Sequence, residues 1–168
     1  MGRPDVQTFR ESRKMPLTVV LDNVRSLNNI GAVFRTSDAF AVREICLCGI
    51  SAPPPSPEIH KTALGAEESV AWRYFPTTLE AIKDLKNEGV RVCALELTHN
   101  SVPLQDFIPE HDGKYALVVG NEVLGVDEEV LAECDFCLEI PQHGTKHSLN
   151  VSVSTAIAIW HFFRNLEL

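Results

Sequence analysis

Residues 140–153 read IPQHGTKHSLNVSV, and this stretch joins the last predicted strand to the last predicted helix. Residues 136–140 form a short apolar run that ends at Pro141, which is typical of a strand. From residue 149 onward apolar residues recur at helical spacing, with Val153 and Ile157 on one face. The polar segment between them therefore predicts a loop at the carboxyl end of a strand, where parallel sheets bind ligands.

The same alternation of strand and helix patterns extends back to the N-terminus. Further strands are predicted at residues 16–21, 44–49, 69–75, 90–97 and 115–119. Helices are predicted at residues 29–41, 58–64 and 77–89, the last of which has a threonine cap and a Gly89 stop. This order implies an α/β fold with a mainly parallel sheet and flanking helices. No linker divides the chain, so residues 1–168 are expected to form a single domain.

Two further polar segments follow predicted strands. Residues 23–39 follow the first strand, and residues 120–126, which read GNEVLGV, follow the strand at 115–119. Because the carboxyl ends of parallel strands meet at one edge of a sheet, these loops are expected to converge with residues 140–153. The sequence thus predicts a small-molecule pocket built largely from the C-terminal half.

Two familiar nucleotide sites do not fit this pattern. No glycine follows the first strand until Gly31, so the G-x-G-x-x-G fingerprint of dinucleotide-binding proteins is missing. Gly120 and Gly125 have the glycine spacing of a phosphate loop, but the Lys-Ser/Thr pair that must follow is replaced by Val126 and Asp127. A nucleotide-dependent oxidoreductase and an NTPase are both disfavoured.

A hydrolase is a weaker alternative still. Ser148, with His147 or His143 and Glu122, offers the residue types of a nucleophile, a base and an acid. Ser148 lies in Lys-His-Ser-Leu-Asn, however, and no G-x-S-x-G elbow is present to expose it as a nucleophile.

The five cysteines favour reduced thiols over a metal site. Cys46 and Cys48 share one face of an apolar strand, where cysteine packs as a small hydrophobe, so no metal is expected. Cys134-x-x-Cys137, with six histidines in the chain, keeps zinc open as a minor alternative. An odd number of cysteines and an N-terminus without a signal-like apolar stretch favour the cytoplasm.

The three polar segments resemble the motifs of the SPOUT superfamily of RNA methyltransferases, in its SpoU/TrmH branch. The first motif has an asparagine with an arginine six residues on, matched by Asn29 and Arg35. The second, Gly-Asn-Glu-x-x-Gly, is matched by residues 120–125. The third, Ile-Pro-x-x-Gly-x-x-x-Ser-Leu-Asn-Val-Ser, is matched by residues 140–152. All three occur in the family's order, and the resemblance covers essentially the whole chain.

The resemblance implies a deep trefoil knot over about residues 115–165 and a bound S-adenosyl-L-methionine, with adenine held by backbone groups. Most members are homodimers with sites at the interface, which would explain the wide apolar face of the final helix. Two departures, Gln142 for a frequent methionine and Ser154 for a frequent alanine, leave the substrate subtype open. The implied cofactor-binding residues are Leu97, Gly120, Asn121, Gly125, Ile140, Gln142 and Leu149.

The implied reaction transfers a methyl group from the sulfonium to a ribose 2′-hydroxyl of RNA. A guanidinium is a poor base at neutral pH, so Arg35 is assigned to gripping the adjacent phosphate and stabilising the developing oxyanion. Asn29 and Asn150 would orient the ribose or the loops, with Glu122 and Ser148 completing their hydrogen-bond network. A catalytically silent RNA-binding relative is the alternative, and the intact set of Arg35, Asn29, Glu122, Ser148 and Asn150 argues against it.

Charge is distributed unevenly along the chain. The total is 15 Lys and Arg against 23 Asp and Glu, a net charge of −8, yet residues 1–35 hold six basic and three acidic residues. An RNA phosphate responds to the local field, so the basic N-terminal segment can dock it despite the acidic total. The candidate RNA-binding residues are Arg10, Arg13, Lys14 and Arg25.

The basic extension also bears on the choice of partner. Residues 1–15 are too short for a separate recognition domain, which favours tRNA over rRNA as the partner. No DNA partner is expected, and no membrane partner either, since no apolar run approaches a membrane span.

Overall fold

The computed structural model describes residues 2–166, so residues 1, 167 and 168 of the predicted domain lie outside the described part. Seven strands form one sheet in the order β3-β2-β1-β6-β4-β7-β5, and every pair in it is parallel. The strands are β1 Met15–Asp22, β2 Val42–Cys48, β3 Trp72–Phe75, β4 Arg91–Leu95, β5 Val102–Pro103, β6 Tyr115–Val119 and β7 Phe136–Glu139. The predicted α/β class with a mainly parallel sheet is confirmed.

Helices connect the strands and cover the sheet. The predicted helix after Thr77 is confirmed with a full capping box, in which Thr77 and Glu80 each accept from the other's backbone N–H. Three of the helices, Val6–Glu11, Ala66–Ser69 and Glu128–Glu133, have no counterpart in the sequence prediction. The helices are α1 Val6–Glu11, α2 Leu27–Ala39, α3 Pro57–Ala63, α4 Ala66–Ser69, α5 Thr78–Asn87, α6 Glu128–Glu133 and α7 Val151–Asn165.

Two apolar cores flank the sheet because successive side chains of a strand point to opposite faces. Val19 of β1 belongs to a core that includes residues of α2 and α7, whereas its neighbour Val20 belongs to a core that includes residues of α5. Seven of the eight β1 residues are buried, as expected of a strand covered on both faces. The trefoil knot stays a prediction.

The strand order brings two of the polar segments to neighbouring strands. From β1 the chain first adds β2 and then β3 on one side of the sheet. It then crosses to the other side of β1, where β6 lies next to β1 and is followed by β4, β7 and β5. Such a reversal leaves a crevice beyond the carboxyl ends of the strands on either side of it, here β1 and β6. The polar segments at residues 23–39 and 120–126 begin at these two ends. Among residues 2–166, no helix is long and apolar enough to cross a bilayer.

Candidate active site

The segment after β6 folds into a compact turn, residues 120–126, which we call the glycine turn. Its ends are joined by two backbone hydrogen bonds, from Asn121 N to Gly125 O at 3.0 Å and from Gly125 N to Asn121 O at 2.9 Å. The Asn121 side-chain oxygen accepts from Val123 N at 2.9 Å and from Leu124 N at 3.0 Å. Gly125 has a φ of +71°, a conformation that glycine adopts without a steric penalty.

Glu122 fastens the glycine turn to the start of α2. Its carboxylate accepts from Arg25 N at 3.0 Å, Ser26 N at 2.9 Å and Asn29 Nδ2 at 3.2 Å. Partial burial alone would raise the pKa of the Glu122 carboxyl, but the hydrogen bonds from Ser26, Arg25 and Asn29 outweigh it and lower the pKa. The structure thus brings the predicted pair Asn29 and Glu122 together, with Glu122 ionised and positioning the loop.

Replacing Glu122 with glutamine is expected to lower the free energy of unfolding by about 1 kcal/mol, because the amide cannot accept from both backbone donors. The pKa of Glu122 is lower in the folded than in the unfolded chain, so its stabilising effect is present at neutral pH. That effect is lost as the pH falls through the folded-state pKa. Urea titrations of both proteins from pH 7 to pH 3 should therefore converge; a constant difference would contradict the argument.

A cavity of about 490 Å³ opens beyond the ends of β4 and β7. Four of the predicted cofactor-binding residues line it: Leu97, Ile140, Gln142 and Leu149. The other lining residues are Leu95, Glu96, Leu138, Glu139, Pro141, Lys146, His147, Ser148 and Ser154.

The remaining predicted cofactor-binding residues, Gly120, Asn121 and Gly125, belong to the glycine turn and do not line the cavity. The turn nevertheless adjoins the cavity through Glu96, whose Oε2 accepts from Val126 N at 2.9 Å. Directly after the turn, Asp127 N donates to Asp22 Oδ2 at 3.0 Å.

Ser148 and Asn150 do not join the Glu122 network. Ser148 lines the cavity instead. Asn150 caps α7, where its Oδ1 accepts from Ser152 N at 2.9 Å and from Ser152 Oγ at 2.6 Å. The first N–H groups of a helix lack helical partners, so a side chain at this position is drawn to them.

Arg35 lies apart from the cavity, on the exposed side of α2. It lines a groove of about 730 Å³ between α1, α2 and the α3–α4 region, and this groove shares no lining residue with the cavity. Six residues of helix place Arg35 about 9 Å along α2 from Asn29. Within residues 2–166 its guanidinium makes no hydrogen bond or ion pair, so its charge is available to a ligand.

The predicted RNA-binding residues differ in exposure and in whether their charged groups already contact other parts of the chain. Arg10, Arg13 and Arg25 are exposed. Lys14 is engaged: it donates to the backbone oxygens of Phe9 and Ser12 and lies 4.3 Å from the centroid of the Phe9 ring. Burial lowers its pKa. The arginines are therefore better placed than Lys14 to meet a phosphate.

Several residues of the cavity were missed by the sequence reasoning. Glu96 directly precedes Leu97, and Glu139 directly precedes Ile140. The resemblance implied that Leu97 and Ile140 bind the cofactor, so their sequence neighbours could have been considered as cavity residues. Lys146 lies inside the quoted loop but carried no motif role.

The cysteines are packing residues in this structure. Burial raises the pKa of the Cys48 and Cys134 thiols to about 12, and burial also raises the pKa of Cys46 and Cys93. Among residues 2–166 no group of three or more His, Cys, Asp or Glu is placed to hold a metal ion.

A parallel sheet with a cavity beyond its strand ends, beside a braced glycine turn, defines an α/β protein that binds a small ligand at the carboxyl edge. Comparison with known families makes this specific. The chain belongs to the SpoU rRNA Methylase family, whose model matches residues 16–160.

Individual relatives act on two kinds of RNA. The chain is 32% identical over 158 residues to the tRNA (guanosine(18)-2′-O)-methyltransferase of Thermus thermophilus, covering 94% of this chain and 79% of the relative. It is also 32% identical over 160 residues to the 23S rRNA (guanosine-2′-O-)-methyltransferase RlmB of Coxiella burnetii, covering 94% of this chain but 62% of that protein. The chain thus spans less than two thirds of the second relative.

A solved structure agrees with the fold. The AdoMet-bound rRNA methyltransferase from Sinorhizobium meliloti superposes with a TM-score of 0.84 at 29% identity. The match covers 95% of this chain and 61% of that one.

Proposed function

We propose that this protein transfers a methyl group from S-adenosylmethionine to a ribose 2′-hydroxyl of RNA. The observation that carries the proposal is the cavity at the ends of β4 and β7, which adjoins the glycine turn through Glu96. Membership of the SpoU rRNA Methylase family supports the reaction class, as does the AdoMet-bound relative.

The cavity has the properties that this cofactor requires. Its volume of about 490 Å³ lies within the range of small-molecule sites. Leu97, Ile140 and Leu149 give it apolar walls for a flat base, and their backbone groups can supply the donors and acceptors that adenine needs. Gln142 and Ser148 add neutral polar groups. When bound, the cofactor supplies an electrophilic methyl group.

Arg35 and Asn29 serve the RNA side of the reaction. Within residues 2–166 the guanidinium of Arg35 has no hydrogen bond or ion pair, which suits it to hold a phosphate and to stabilise negative charge that develops on the attacking oxygen. Asn29 is held by Glu122 at 3.2 Å, so its amide has a fixed direction. Glu122 positions the start of α2, while Asn150 caps α7.

We favour tRNA over ribosomal RNA as the substrate. The tRNA-modifying relative supports this choice, since this chain is 32% identical to it over 158 residues. The five free cysteines support a reducing compartment, and we place the protein in the cytoplasm.

Tritium transfer from labelled S-adenosylmethionine tests the reaction. Purified protein is incubated with unmodified bulk tRNA or ribosomal RNA, and the labelled nucleosides are then mapped. Label in a 2′-O-methyl nucleoside of tRNA is the expected result. Label only in ribosomal RNA would refute the tRNA assignment, and label on a base would refute the ribose assignment.

We propose that the protein works as a homodimer through α7. One face of α7 is buried, yet the opposite face is also apolar: Val153, Ile157 and Trp160 are 49%, 40% and 50% exposed. Within one chain the cavity and the groove that holds Arg35 share no lining residue. A second copy on this face would bring its own Arg35 groove towards the cavity of the first copy.

Light scattering after size exclusion checks the dimer. Wild type is expected to have the mass of two chains, and the double variant Val153→Asp with Ile157→Asp the mass of one, because two buried charges would oppose association. Ile108→Asp is the matched control: Ile108 is 76% exposed but lies outside α7, so this variant should stay dimeric. A monomeric wild type would refute the proposal.

A further inference from the structure

Glu96 links the cavity to the glycine turn. It follows the last residue of β4, and its own N–H donates to Leu138 O of β7 at 3.0 Å. Its side chain lines the cavity while Oε2 accepts from Val126 N at 2.9 Å. A Cβ at Gly125 would lie 2.6 Å from the same oxygen, so the carboxylate fits closely beneath the turn. Glu96 is therefore a charge held in one place at the cavity wall.

The charged residues of the cavity have a negative balance. Glu96 and Glu139 contribute two carboxylates, and Lys146 contributes one ammonium. Glu139 is held like Glu96, because its Oε2 accepts from Ser101 Oγ at 3.0 Å. In residues 2–166, Lys146 forms no ion pair with either acid. His147 is the remaining ionisable group that lines the cavity.

The donor and the product of the proposed reaction differ by one charge. S-adenosylmethionine has a sulfonium, an ammonium and a carboxylate, hence one net positive charge at neutral pH. After the methyl group leaves, S-adenosylhomocysteine has a neutral thioether and no net charge. Their shapes differ by one methyl group. A cavity can therefore discriminate between them chiefly by its electrostatic potential.

We propose that Glu96 is a specificity-determining residue that makes the cavity prefer the cationic methyl donor to its uncharged product. The inference rests on the proposed function, because it needs the cofactor to bind in this cavity. Attraction between the fixed carboxylate and the cationic ligand weakens once the sulfonium charge is gone, which favours product release and donor entry. Glu96 also accepts from Val126 N, so the same carboxylate sets the ligand preference and supports the glycine turn.

Glu96→Gln separates charge from shape. The glutamine is nearly isosteric and keeps an oxygen that can accept from Val126 N, so the turn retains its support. Isothermal calorimetry is carried out with S-adenosylmethionine, S-adenosylhomocysteine and sinefungin, a stable analogue with an amine near the sulfonium position. We expect the two cations to bind about 3- to 10-fold more weakly to the variant and the uncharged product to change by less than about two-fold.

Two further variants serve as controls. Glu96→Asp keeps the charge and should retain most of the preference for cations. Glu110→Gln removes one charge from the same chain at the other end of β4, where Glu110 pairs with Arg91 at 3.7 Å, and should leave all three affinities unchanged. The effect of Glu96→Gln should also shrink with added salt, because a partly exposed charge is screened.

The outcomes separate this inference from the proposed function. An equal weakening of all three ligands would mean that Glu96 acts through shape alone, and no change in any affinity would mean that it does not act at all; both overturn the inference and leave the proposed function standing. If the wild-type protein bound neither S-adenosylmethionine nor S-adenosylhomocysteine, the proposed function itself would be overturned.

Discussion

Replacing Arg35 with alanine is expected to slow methyl transfer by about 100- to 1,000-fold and to leave the affinity for S-adenosylmethionine within about two-fold of wild type. The guanidinium is exposed, unpaired in residues 2–166, and lines a groove that shares no residue with the cavity. Loss of the guanidinium removes stabilisation of charge in the transition state but changes none of the residues that line the cavity. Single-turnover rates with tRNA, set beside calorimetry with the cofactor, measure the two effects separately.

Arg43→Ala is the matched control for Arg35→Ala. Arg43 is also exposed and also without a hydrogen bond or ion pair to the part of the chain that the structure describes, but it lies on β2 outside the groove. It should keep the wild-type rate within about two-fold, as surface substitutions generally do. Equal losses of rate and cofactor affinity in Arg35→Ala would show that Arg35 supports the fold of the cavity instead.

Gly120→Ala is expected to destabilise the fold by about 1–3 kcal/mol and to weaken cofactor binding. An added Cβ would lie 2.2 Å from the Gly125 carbonyl carbon and 2.3 Å from Val126 N. Both are backbone atoms that cannot swing aside, so the turn must open and the bond from Val126 N to Glu96 must lengthen. Urea unfolding and calorimetry with S-adenosylmethionine measure the two consequences.

Gly144→Ala provides the comparison for stability. An added Cβ at Gly144 meets no atom within 4 Å, so its unfolding midpoint should match that of wild type. If Gly120→Ala unfolded at the same urea concentration as Gly144→Ala, close backbone packing at the glycine turn would be refuted.

Local patterns in the sequence were sufficient to predict six of the seven described strands and four of the seven described α-helices. The β-branched run at residues 16–21 predicted β1 because a strand covered on both faces must be apolar throughout. Thr77 and Gly89 bounded α5 because capping and termination are properties of a few adjacent residues. α1 was missed because its apolar residues are few, and residues 6–11 include no buried residue.

The site was predicted less completely, since its geometry depends on contacts between distant residues. The link between Glu122 and the start of α2 spans more than 90 positions along the chain, so no window of sequence contains it. Asn150 was expected to orient the ribose or the loops, but it caps α7. The motif specifies only that an asparagine is present, whereas the helix that follows determines what its side chain contacts. Glu96 belongs to none of the three motifs, and its place in the cavity follows from strand pairing.

The fastening of the glycine turn has a consequence for hydrogen exchange. The amides of Ser26, Val126 and Asp127 each donate to a carboxylate from a distant part of the chain. Each amide has to lose its carboxylate partner before it exchanges, so we expect all three amides to be protected from exchange. We expect slow exchange to extend from the buried strands to this surface loop, so that the loop can meet a substrate without first having to become ordered.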